Sequence, residues 1–105
     1  KAILTEAIFN KARAQGAGFC GAKCDSSTWA GADISGADFT DADLERANLK
    51  DVIAHRTKFI RIKSMKGVIL WNADCSGADF SETDLGEVND IEKTGLVLNQ
   101  IKGIK

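Results

Sequence analysis

Alanine and large apolar residues follow one another along this chain at a spacing that fits no regular secondary structure. Within residues 35–49, alanine returns at Ala37, Ala42 and Ala47, and two places after each comes Phe39, Leu44 or Leu49. A helix repeats every 3.6 residues and an extended strand every two, so a period of five is neither. Run backward, the frame gives central residues Ile34, Trp29, Cys24, Phe19, Ala14, Phe9 and Leu4 without a break. Run forward, it continues through Ala54 and Phe59 and resumes at Leu70, Cys75, Phe80 and Leu85. The step from Phe59 to Phe80 is 21 residues, which predicts one additional residue, a bulge, within residues 60–65.

Repeats are read before secondary structure. The units Ala32-Asp33-Ile34, Ala37-Asp38-Phe39, Ala42-Asp43-Leu44, Ala47-Asn48-Leu49 and Ala78-Asp79-Phe80 resemble the pentapeptide-repeat family, with consensus A(D/N)LXX, over roughly residues 2–88. That resemblance implies an all-β fold: a right-handed quadrilateral β-helix solenoid with four repeats per coil and about four to five coils at a spacing of ~4.8 Å. Such a coil requires residues 20 apart to stack. One expected column is Phe19, Phe39, Phe59 and Phe80; a second is Phe9, Trp29, Leu49 and Leu70. A third runs Leu4, Cys24, Leu44, Met65 and Leu85, and a mixed fourth runs Ala14, Ile34, Ala54 and Cys75. The phenylalanine ladder supports the 20-residue coil independently of the consensus.

The open ends of such a rod need covering. The expected division is a β-helix over 1–88 and a C-terminal cap or assembly segment over 89–105. In that segment Val97, Ile101 and Ile104 fit one face of a short capping helix, with Gly103 to end it. The start shows no equivalent lid, and Lys1 already stands inside the repeat, which predicts a processed protein or a piece of a longer one.

Composition narrows the classes. A chain of 105 residues is one small domain, and a net charge of −1 gives no general attraction to nucleic acid or anionic membrane. No apolar run approaches a membrane span and no signal peptide is visible. The charges are grouped: residues 1–24 carry +3, 25–45 carry −6, 46–66 carry +6, 67–92 carry −7 and 93–105 carry +3. Each group is about one coil long, so rings of alternating sign are expected. The outward ladders would be Asp38–Lys58–Asp79 and Asp41–Arg61–Glu82, with Lys23 beside Asp43 and Arg13 beside Asp33.

Candidate chemistry is sparse. His55 follows a central position and is expected to face solvent beside Ser35 and Ser76, with no acid arranged around it. Cys24 and Cys75 fall on core positions of different faces, as free thiols, and Cys20 lies outside the core frame. No metal motif is completed, and three cysteines without a framework favour a reducing compartment. The repeat carboxylates Asp33, Asp38, Asp43, Asp74, Asp79 and Asp84 would diverge around the rod, unlike a general acid/base pair. Trp71 falls just outside the core frame and is either a partner-binding residue or packed against Ile91 or Lys50. No catalytic, cofactor or metal residues are assigned. The expected function is a non-enzymatic interaction scaffold for an unknown protein partner, with a homodimer through an open end as one assembly. Nucleic acid and membrane are not expected partners. The alternative is a DNA mimic, by analogy with family members that protect DNA gyrase. The short chain and the basic ring from Arg46 to Lys66 disfavour it.

Overall fold

A reverse turn bends the chain once in nearly every repeat. In the computed structural model, which describes residues 2–88, the first turn runs from Leu4 to Ala7. There the Ala7 N–H donates to the Leu4 carbonyl at 3.0 Å, and Glu6 has φ 61°. Positive φ at the third turn position alone is the signature of a type II turn. Left-handed residues recur every five places from Glu6 to Arg61, then at Gly67, Asn72, Gly77 and Glu82. Many are not glycine, and a left-handed L-residue costs about 1–2 kcal/mol. From Glu6 to Gly67 the amide of each helps to hold it there by reaching the next coil, as Lys11 does to the Ala30 carbonyl at 2.9 Å. At some of these positions space is also short beside a long cation. A Cβ on Gly77 would stand 3.1 Å from Cγ of Arg56.

Between turns, single residues pair in parallel with the coil above. Ile8 pairs with Thr28, Thr28 with Asn48, and Asn48 with Ile69. The first two steps are twenty residues and the last is twenty-one. The Lys63 N–H donates to the Ala42 carbonyl, in the 20-residue register, whereas the Arg46 N–H reaches one residue further, to Lys66. Met65 resumes the frame as the first residue of the turn closed by the Val68 N–H. The additional residue is therefore at Lys63–Ser64, inside the predicted window.

The core fills the space between the turns. Phe19, Phe39, Phe59 and Phe80 stack with centroid separations of 4.8, 5.5 and 4.9 Å, their planes within 14° of parallel. Phe9 stacks on Trp29 at 4.2 Å, and Trp29 meets Phe39 edge-on at 5.4 Å. Trp29, Phe39, Phe59, Phe80, Leu44, Leu49 and Leu70 are fully buried. Each such side chain contributes about 1.5–3 kcal/mol, and stacked rings add about 0.5–1.5 kcal/mol. Leu4, Phe9, Phe19 and Leu85 are only partly buried. They lie on the first and last described rungs. The segment 89–105, where a cap was expected, lies outside the described residues.

Alanine sits two places before each centre because its methyl fits the closed inner corner; Ala32, Ala37, Ala42 and Ala47 are fully buried. Where a polar residue takes that place, its hydroxyl is used. Ser27 donates to the Cys24 carbonyl at 2.6 Å and accepts from the Trp29 indole N–H at 2.8 Å. Thr57 donates to the Ile34 carbonyl at 2.8 Å. Thr83 bridges a turn one coil below, donating to the Phe59 carbonyl and accepting from the Ile62 N–H at 3.0 Å. Among the described residues no buried side-chain nitrogen or oxygen lacks a partner.

Candidate interaction surfaces

The repeat carboxylates belong to the turns. Oδ1 of Asp33, Asp38, Asp43, Asp74, Asp79 and Asp84 accepts the N–H two residues on, at 2.8–3.2 Å. Asn48 does the same for Lys50 at 3.0 Å. This is the short polar side chain satisfying its own turn, and it explains why aspartate or asparagine stands before the central residue. Donated hydrogen bonds, from the Ser35 backbone to Asp33 and from the Thr40 hydroxyl to Asp38, hold both carboxyls below their ordinary range. Asp33 and Asp74 share a column but are separated by Ile53, Asp38 and Asp79 share another but are separated by Lys58, and the groups do not converge. Among the described residues no cluster of three His, Cys, Asp or Glu side chains could hold a metal.

His55 requires a correction. Its Nε2 lies 2.6 Å from Oδ2 of Asp74, so an acid is arranged against it after all. Asp74 pairs with Ile53, two residues before His55. The long imidazole reaches diagonally to it, past the straight neighbours Ser35 and Ser76 that spacing places beside it. The His55 contact, with help from Ser76, lowers the Asp74 carboxyl to about 2. Lys23 stands beside Asp43 in the pairing, yet its ammonium takes Asp25 of its own coil at 3.1 Å.

Other charges follow the ladders. Arg61 lies between Asp41 at 3.0 Å and Glu82 at 3.6 Å. Lys58 pairs by backbone with Asp38 and with Asp79. Cys24 and Cys75 are buried free thiols, which burial pushes up to about 11 and about 12, and Cys20 is exposed. Trp71 is half-buried, and its carbonyl accepts from the Asp51 N–H at 2.9 Å.

Concavity is slight. A hollow of about 290 Å³ is lined by Ala2, Ile3, Gly21, Ala22, Lys23, Asp43 and Lys63, and brings no nucleophile to a base. No helix among the described residues is long and apolar enough to cross a membrane. One surface escaped the sequence reading: the outward row Ile8, Thr28, Asn48, Ile69, which carries no charge. Listing the residue before each centre of the Trp29 column would have exposed it.

Comparison with known proteins agrees with this geometry. The family model for pentapeptide repeats matches residues 15–51, 30–62 and 64–89, with eight copies. Among curated proteins none matches by sequence. The structure is similar to the pentapeptide repeat protein Rfr23 from the cyanobacterium Cyanothece 51142, at 20% identity and TM-score 0.57. That alignment covers 85% of this chain and 58% of Rfr23, so the chain spans little more than half of that protein's length. It is also similar to a pentapeptide repeat protein from the Arabidopsis thaliana thylakoid lumen, at 21% identity and TM-score 0.53, covering 85% of this chain and 70% of that one. At these identities the likeness concerns the fold alone, a right-handed β-helix. With eight repeats matched across most of its length, the chain belongs to the pentapeptide repeat family.

Proposed function

We propose that the chain is a non-enzymatic interaction module: a four-sided β-helix of about four to five coils that offers flat walls to a protein partner. The observation that carries this reading is the divergence of the outward polar groups. Each repeat aspartate is spent on its own turn, and His55, Arg61 and Lys23 are engaged with carboxylates of the same chain. A surface of this kind recognises by shape and by neutral or apolar strips. A homodimer formed end to end is a second assembly within this reading. Trp71, half-buried beside the uncharged row, is the aromatic residue placed to anchor a partner.

The test is affinity capture with the intact protein, comparing the natural chain with a folded variant carrying Thr28→Arg and Asn48→Arg. A partner recovered by the first and lost by the second supports the reading. Turnover of a substrate by the purified protein contradicts it. So does duplex DNA bound at micromolar concentration with steep salt dependence, which would assign the basic ring to nucleic acid.

A further inference from the structure

One stretch of wall is held differently from the rest. In the row over the Leu44 column, Ile3 pairs with Lys23 and Lys23 with Asp43, and there the pairing stops. Among the described residues neither Asp43 nor Asp84 pairs with residues 63–65. The other three rows carry their pairs across the same interval, as Asn48–Ile69, Ile53–Asp74 and Lys58–Asp79. The additional residue at Lys63–Ser64 accounts for the difference, because a bulge disrupts the ladder locally.

The bonds that remain are few. Asp43 donates its N–H to the Ala22 carbonyl at 3.0 Å, and its carbonyl accepts from the Cys24 N–H at 2.8 Å. One coil later the Lys63 N–H reaches the Ala42 carbonyl at 2.9 Å. Among the described residues this is the one backbone bond from residues 62–65 to another coil. The other ties run through side chains: the Ile62 N–H donates to the Thr83 hydroxyl at 3.0 Å, and the Ser64 hydroxyl donates to Glu45 at 3.3 Å. Thr83 and Ser64 are both partly exposed, so water can take the place of either bond. Ile62 and Met65 are buried and mark the two ends of the segment, with the exposed Lys63 between them. We infer that residues 62–65 form a strap that opens locally in the folded protein, between the turns that begin at Phe59 and Met65, and that the Thr83 hydroxyl is its latch.

The paired rows confine the opening to this wall. The row two repeats away keeps its Ile53–Asp74 pair and is tied further by the His55–Asp74 contact at 2.6 Å. The ring contact of Phe59 with Phe80 lies outside the segment and survives its movement. Opening the strap therefore costs a few hydrogen bonds, whereas global unfolding costs the whole stack, and such low-cost openings dominate where backbone pairing is sparse. The inference is independent of the interaction-module reading, since it concerns how one wall moves and not what binds to it.

Amide hydrogen exchange of the full protein, followed by NMR in denaturant below the unfolding transition, reads the opening without any variant. The N–H groups of Lys63, Asp43 and Lys58 form a matched set, each donating to a carbonyl one coil below, at 2.9, 3.0 and 2.9 Å. Corrected for intrinsic rates, Lys63 should exchange at least about tenfold faster than the other two. Its rate should not change with denaturant, because a small opening exposes little surface. Ser27→Ala, which destabilises a distant coil, should leave the Lys63 rate unchanged. Thr83→Val should raise it, and Thr83→Ser, which keeps the hydroxyl, should not. A Lys63 amide that matches Asp43 and Lys58 in rate and in denaturant dependence overturns the strap. A Lys63 rate that does not respond to Thr83→Val overturns the latch.

Discussion

The hydroxyl of Thr83 stands in the mouth of the turn from Phe59 to Ile62, accepting a hydrogen bond from the Ile62 N–H and donating one to the Phe59 carbonyl. These two backbone groups would otherwise close the turn on each other, as they do at the Leu4–Ala7 turn. The bridge lies immediately before the additional residue at Lys63–Ser64. Thr83→Val keeps the mouth of the turn filled by a methyl in place of the hydroxyl, so both groups lose their partner without room to pair with each other, at a cost of about 1–3 kcal/mol. Thr57→Val removes only a second donor to Ile34, whose carbonyl already accepts from the Ala37 N–H, and should cost less. Chemical denaturation checks the order, and an equal loss for both would contradict it.

Ser27 occupies an alanine position, so Ser27→Ala restores the consensus of the repeat. It should nonetheless destabilise, by roughly 1–3 kcal/mol, because the fully buried Trp29 indole N–H then has no acceptor. A double-mutant cycle with Trp29→Phe isolates the effect. The Ser27→Ala cost should largely disappear when the indole is absent.

The architecture was legible through the resemblance of the five-residue frame to pentapeptide repeats. With four repeats to a coil, as that resemblance implies, Phe19, Phe39, Phe59 and Phe80 fall into one column, and the 21-residue step located the bulge within six residues. Three things were hidden, each for a physical reason. The His55–Asp74 contact is diagonal, and depends on how far an imidazole reaches between coils. Lys23 had two carboxylates within range, and pairing geometry did not choose between them. The uncharged row over the Trp29 column is a negative feature, spread over single residues twenty apart.

Stability in acid should follow the exposed carboxylates. Asp74 has its folded value depressed to about 2 by His55 and Ser76, while the unfolded carboxyl titrates near ~3.9. A depressed folded value means that its stabilisation is present in full above the unfolded value and is lost as pH falls toward about 2. Asp25, Asp33 and Asp38 shift in the same direction. Asp74→Asn should therefore flatten part of the loss of stability below about pH 4. An unchanged slope in acid denaturation would contradict the assignment.

Thiol chemistry separates the three cysteines. Cys20 is exposed and should react with a maleimide in the folded protein, whereas Cys24 and Cys75 should react only on unfolding. Burial raises both of the latter, leaving little thiolate at neutral pH. Mass spectrometry after timed labelling checks the sequence of events. A Cys24–Cys75 disulfide formed without unfolding would contradict the separate columns.

Stacking at a twenty-residue interval, with a single interval of twenty-one, is the central claim, and a nuclear Overhauser experiment on isotope-labelled protein measures it directly. The predicted result is ring-to-ring contact for Phe19 with Phe39, Phe39 with Phe59, and Phe59 with Phe80, at centroid separations of 4.8, 5.5 and 4.9 Å. Backbone contacts should link Thr28 to Asn48 and Asn48 to Ile69, the two sides of the change in register. Absence of the ring contacts, or a link from Asn48 to Val68 in place of Ile69, would contradict the account.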